Sequence, residues 1–197
     1  MNKTRIEAFI DAILAIILTV LVLEFHTPTR PSLFDLLSEW HIFASYTATF
    51  VLIIFSWYNQ HNLFQHAKHI SIGCFVSAAI WTFTMSLLPL ATAFVGKYPE
   101  YWGAELFYMI IATIWSLAFD NMAWHFQKAN QDIDKLKYYV GSRLRPKAII
   151  ANYLPCLVSI SVVYFFPMIG ILMPAVVIFT NYLLKESAKE TFDGVIL

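Results

Sequence analysis

The sequence predicts an all-α, polytopic membrane protein, and three observations carry that prediction. Of its 197 residues, 59% are hydrophobic and only 13% are charged, whereas a soluble domain carries about a quarter charged residues. Aromatic residues reach 17%. The apolar residues are also gathered into runs long enough to cross about 30 Å of hydrocarbon, which takes about 20 residues of helix. Formal net charge is zero, so nothing in the bulk electrostatics points to a nucleic-acid partner. Cys74 and Cys156 both fall inside apolar runs, where a thiol behaves as a small hydrophobe. No disulfide framework, metal site or cofactor is expected from them.

The crossings follow in chain order. Residues 5–25, RIEAFIDAILAIILTVLVLEF, form the first. Glu7 and Asp11 stand where a secretory signal would carry positive charge, so this helix is expected to be retained. The second, 40–58, has no acidic or basic residue besides His41. The third, 70–96, is charge-free and contains Pro89, which predicts a kink or an early exit. The fourth, 101–119, holds only Glu105. Residues 148–184 carry no charge and are too long for one crossing at about 1.5 Å rise per residue. Pro167 and Gly170 in FFPMIG break that run into a fifth and a sixth helix. The whole chain, 1–197, therefore reads as a single domain of six transmembrane helices. The longest polar piece, 121–146, leaves no room for a folded domain outside the membrane.

Basic residues set the orientation. With the N-terminus inside, the cytoplasmic segments hold Lys3, Arg5, Lys68, Lys128, Lys135, Lys137, Arg143, Arg145, Lys147, Lys185 and Lys189. Only Arg30 and Lys97 fall outside. This positive-inside bias places both termini in the cytoplasm and makes the chain a multi-pass protein of the cell membrane.

On a helical wheel of the first crossing, Ile16, Thr19, Val20 and Leu23 share one face within an arc of about 100°. Asp11 points away from that stripe. Aliphatics at such positions commonly face lipid or core, and a threonine hydroxyl can bond back to its own helix and stay silent. A carboxylate about two turns into a membrane helix is harder to dismiss, because it is costly without a partner unless it lies at headgroup depth. Trp57 and His61 sit four residues apart on one face of the second helix, at the matching depth. They are the expected partners of Asp11 in a polar network between helices.

The opening Arg5-x-x-x-Phe9-x-Asp11, the apolar helix ending in VLEF, and Trp57-x-x-x-His61 together resemble the transmembrane protein 175 family. These are endosomal and lysosomal potassium channels and their bacterial single-repeat homologues. The family motif usually has serine before the aspartate, where this chain has Ile10. The resemblance implies a homotetramer in which the first helix of each subunit lines a potassium-selective pore without a P-loop filter. It implies a hydrophobic constriction at Ile16, Val20 and Leu23, and ion selection at Thr19, with potassium as a transient guest there. It assigns Arg5, Phe9, Asp11, Trp57 and His61 to the polar network. Two readings stay open for Arg5, at the pore mouth or bent back into that network. Glu24 either concentrates cations at the outer end or marks the helix boundary.

The alternative is a secondary transporter or proton-coupled carrier that uses Asp11. Such carriers place broken helices at mid-membrane, and only Pro89 and the stretch from Pro155 to Pro167 hint at breaks. An enzyme is not expected, because no His-Glu-x-x-His or paired-aspartate pattern occurs. Other signals are weaker. His61, His66 and His69 match no ligand spacing, Asp120 and Asn121 read as a helix end meeting water, and Asn152 reads as a hydrogen bond across a helix interface. Gly73 and Ser77 form a small-xxx-small pair suited to close helix packing. Tyr101, Trp102, Trp115, Trp124, Tyr138 and Tyr139 read as an aromatic belt.

Overall fold

The computed structural model describes residues 2–25, 32–134, 136, 140, 144, 146–167 and 170–172, without the side chains of residues 36, 147, 148, 151 and 152. The described residues are helical, with no strand among them. The helices are α1 (Lys3–Leu23), α2 (Leu33–Ser38), α3 (Trp40–His66), α4 (Ile72–Met85), α5 (Leu88–Lys97), α6 (Trp102–Ala129) and α7 (Pro146–Val163). Among the described residues, four stretches are long and apolar enough to cross a membrane: Lys3–Leu23, Trp40–His66, Ile72–Lys97 and Trp102–Ala129. The fifth predicted crossing begins in α7, whose apolar part, Tyr153–Val163, is shorter. The sixth lies mainly outside the described residues, as do Tyr138, Tyr139 and the side chain of Asn152.

Each departure from the expected boundaries has a local cause. The third crossing divides at Ser86 and Leu87 into α4 and α5. Pro89 lies in the first turn of α5, where its missing N–H costs no intrahelical bond. The second crossing runs two turns past its expected end at 58, since Asn59, Gln60 and His61 are compatible with helix outside the apolar zone. The fourth continues through Asp120 and Asn121 to Ala129. Asp120 is therefore no helix end in water. It is 9% exposed and accepts a hydrogen bond from the Tyr153 hydroxyl of α7 at 2.6 Å. Of the residues expected in an aromatic belt, Trp115 is instead buried and stacks on Trp81 at 5.9 Å between ring centroids.

α1 lies against α3, α4 and α5, α4 and α5 pack on α6, and α7 covers α6. The main core joins Ile6, Ile10, Leu14, Ile17 and Leu21 of α1 to Leu52 and Phe64 of α3, Trp81 of α4, and Trp115 and Phe119 of α6. Close approach at Gly73 is to α6, since a Cβ there would stand 2.7 Å from His125 Nδ1. Ser77 bonds back to the Gly73 carbonyl at 2.8 Å.

A second interior polar chain was not visible in the sequence. The Thr92 hydroxyl donates to the Leu88 carbonyl at 2.8 Å, Thr49 and Thr92 hydroxyls lie 2.8 Å apart, and Thr49 lies 3.0 Å from the Tyr108 hydroxyl. With the Thr92 proton committed to Leu88, Thr49 donates to Thr92 and Tyr108 donates to Thr49. The chain ties α3, α5 and α6 together at fully buried or nearly buried positions. In a double-mutant cycle, Tyr108→Phe and Thr49→Val should couple by about 0.6 kcal/mol, the average for such pairs in membrane proteins. Unfolding of the detergent-solubilised protein checks this, and additive effects would mean the hydroxyls act separately.

Candidate functional site

α1 has two unlike faces. Ile6, Ile10, Leu14, Ile17 and Leu21 recur every three or four residues and are buried against the other helices. On the other side, Ile16 is 60%, Val20 36% and Leu23 77% exposed, and Thr19 is exposed between them. Ile16, Thr19, Val20 and Leu23 thus lie along an aliphatic stripe that the rest of the chain leaves uncovered. The Thr19 hydroxyl donates to the Ile16 carbonyl at 2.7 Å. Its single proton is turned into the helix, and the oxygen keeps a lone pair on the uncovered side.

Asp11 lies at the exposed edge of the same helix, and the Trp57 indole N–H of α3 donates to its Oδ1 at 2.9 Å. Trp57 stacks in turn on His61, with ring centroids 5.8 Å apart. Among the described residues, no hydrogen bond joins Arg5 or His61 to Asp11. Arg5 and His61 are exposed, as is Phe9 at 57%. The structure therefore brings Asp11, Trp57 and His61 together and leaves Arg5 and Phe9 on the open side. Ile10, in place of the motif serine, is 1% exposed and sits in the main core rather than beside the Asp11 carboxylate.

A further tie holds the start of α1, where the Lys3 ammonium donates to the carbonyls of Gln65 and Ala67 at 3.4 and 3.1 Å. The sequence gives no sign of it, because a lysine before a membrane helix reads as an orientation charge. At the other end of α1, Glu24 lines a cavity of about 350 Å³ with Phe25, Glu39, Tyr46, Thr92 and Lys97. Deeper in the fold, Glu105 is 1% exposed under the turn at Gly170, and its Oε2 meets no hydrogen-bond partner among the described residues. A Cβ at position 170 would stand 2.6 Å from that oxygen, so a larger residue there would have to displace the Glu105 carboxylate. No group of three or more potential metal ligands occurs among the described residues.

Four helical stretches long and apolar enough to cross a membrane, joined by polar ties such as Asp11–Trp57, define an all-helical, multi-pass membrane protein. Residues 5–89 match the family model described as endosomal/lysosomal potassium channel TMEM175. A potassium channel from Chryseobacterium is 27% identical over 194 residues, spanning 96% of this chain and 100% of that protein. A potassium channel from Chamaesiphon minutus is 30% identical over 100 residues, 48% of this chain and 49% of that one. The fold matches the crystal structure of a lysosomal potassium-selective channel TMEM175 homologue from Chamaesiphon minutus. That match has a TM-score of 0.72 at 22% identity and covers 92% of this chain and 96% of that one. The chain is thus similar to the TMEM175 potassium channels, over residues 5–89 by the family model and over nearly its whole length by the Chryseobacterium channel.

Replacing the acceptor or donor of the Asp11–Trp57 pair separates its polar role from its shape. Asp11→Asn keeps an acceptor and should melt close to the wild type. Asp11→Leu and Trp57→Phe should each cost about 1 kcal/mol, the usual net worth of one hydrogen bond. Thermal unfolding in detergent reads the order, and equal melting of all three variants would show the bond to be idle.

Proposed function

We infer that this protein is a potassium channel whose pore is lined by α1 from each of four subunits. The observation that carries the reading is the uncovered stripe of Ile16, Thr19, Val20 and Leu23 on a helix whose opposite face is buried. One α1 does not enclose a pore, and closed symmetry around that stripe gives four copies of it a common axis. Rings of Ile16, Val20 and Leu23 form an apolar constriction that controls flow by dewetting. A ring of Thr19 oxygens, protons turned away, presents lone pairs to a cation and replaces part of its hydration shell. Potassium dehydrates more readily than sodium, so weak hydroxyl ligands favour it as the permeant ion.

In this assembly the Asp11–Trp57 bond holds the pore helix to its own subunit. Arg5, Phe9 and His61 are left on the side where a neighbouring subunit packs. Each subunit has six crossings with both termini in the cytoplasm, and the channel sits in the cell membrane, in contact with lipid. Glu24 and Glu39 beside the outer end of α1 draw cations toward the pore. A carrier that used Asp11 would need that carboxylate to exchange partners, and its bond to Trp57 favours an anchoring role instead.

Bilayer recordings of the purified protein under a potassium/sodium gradient test the reading. Wild type should pass unitary potassium-selective currents, Thr19→Ala should lower the potassium-to-sodium permeability ratio, and Ile16→Asn should raise conductance by wetting the constriction. Currents indifferent to both substitutions would place the pore elsewhere. Substrate-dependent flux without unitary current would make the protein a carrier.

A further inference from the structure

The cytoplasmic end of α1 carries a cation at a place where its own helix disfavours one. Lys3 is the first residue of α1, and the positive pole of a helix dipole lies at its N-terminus. The compensation comes from a different helix. α3 ends at His66, its cap residue Ala67 turns to extended backbone (φ −82°, ψ 131°), and its last carbonyls point out of the helix. Lys3 donates to two carbonyls of this end, Gln65 O and Ala67 O. A cation on the C-terminal carbonyls of α3 is favourable for the same reason that it is unfavourable on α1.

The turn that Lys3 grips is itself held from the far side by α6. Asn130, the C-cap of α6, is fully buried. Its Oδ1 accepts from the backbone N–H groups of Lys68 and His69 at 2.9 and 2.7 Å. Its Nδ2 donates to the carbonyls of His69 and Phe126, both at 2.9 Å. Two acceptor sites and two donor hydrogens are all that an asparagine side chain has, and every one is used. Only an amide satisfies this pattern, since a carboxylate would turn two donors into acceptors facing carbonyl oxygens.

We propose that Lys3 and Asn130 are positioning residues that clasp the cytoplasmic end of the pore helix to α6 through the 67–69 turn, so that a shift at the end of α6 moves the inner mouth. The proposal rests on α1 lining the pore. Asp11 fixes α1 to α3 about 12 Å further along the helix, which leaves the clasp to set the tilt of the first two turns. Neither residue touches the ion path. Their substitution therefore acts on how often the pore is open and leaves alone which ion it passes.

Hydrogen exchange of the full-length protein in lipid nanodiscs tests the clasp without requiring current. Lys3→Met should speed exchange of amides 6–12 several-fold, and Lys3→Arg should keep it near wild type. Asn130→Asp, which preserves volume, should speed the same α1 amides although it touches none of them. Unchanged α1 exchange in Lys3→Met overturns the clasp. Faster exchange confined to 67–71 and the end of α6 in Asn130→Asp overturns the relay. If Asn130→Asp does not fold, the Lys3→Met and Lys3→Arg pair still decides. Single-channel recording then supplies the functional readout: open probability should change in Lys3→Met and return in Lys3→Arg, with the potassium-to-sodium ratio unchanged. A changed ratio would put Lys3 in the ion path and overturn a positioning role. A wild type without current would overturn the channel reading, while the exchange result would still judge the clasp.

Discussion

Hydrocarbon offers a polar group no hydrogen-bond partner, and the arrangement of this chain follows from that. The backbone answers with helices, whose bonds are internal to each segment. Most side-chain hydroxyls answer within their own helix. Thr19, Ser45, Thr47, Ser77, Thr82 and Thr84 each donate to a carbonyl three or four residues back. Such groups carry little information about packing. Other polar groups among the described residues reach across to another helix, including Asp11 to Trp57, Asp120 to Tyr153, Thr49 to Tyr108 and Thr92, Lys3 to the end of α3, and Asn130 to the 68–69 backbone. These define how the helices sit, because lipid tails are as apolar as leucine and burial alone does little to choose one neighbour over another.

The same constraint explains why α1 can be both the most apolar and the least enclosed of the four spanning stretches. Its mean hydropathy of 2.6 over the best window exceeds that of the other three spanning stretches, yet only 28% of that window is buried. A helix that packs one face on its own chain and leaves the other uncovered can be apolar all round. Its orientation is then set by the few places where it is not. Asp11 faces α3, Thr19 faces outward, and the aliphatics between them follow.

Much of this was legible from sequence because it depends on period and on charge. The first wheel separated Ile16, Thr19, Val20 and Leu23 from Asp11, and the structure leaves those four uncovered while Asp11 finds Trp57. Pro89 announced the break between α4 and α5. The positions that sequence reasoning missed depend on pairing across the chain. Nothing near Lys3 says that it will meet carbonyls more than sixty residues away, and Asp120 and Asn121 looked like a helix end because an acidic and an amide residue usually follow the last buried turn. Asn130 lies in a polar stretch that reads as loop. Its four bonds exist only once α3 and α6 have brought the turn and the cap together.

The departure at Ile10 sharpens what holds α1 in place. A serine there would offer the Asp11 level a hydroxyl. The isoleucine is instead buried to 1% exposure among Ile6, Leu14 and their neighbours. In water such an exchange would trade a hydrogen bond for hydrophobic burial, but in lipid the side chain leaves one apolar surroundings for another. What it gains is close packing with the protein, which is summed from weak contacts and tolerates sliding along a groove. A hydrogen bond does not tolerate sliding, because its geometry fails within a fraction of an ångström. With Ile10 contributing packing only, the register of α1 on α3 depends on Asp11 and on the lysine that opens the helix.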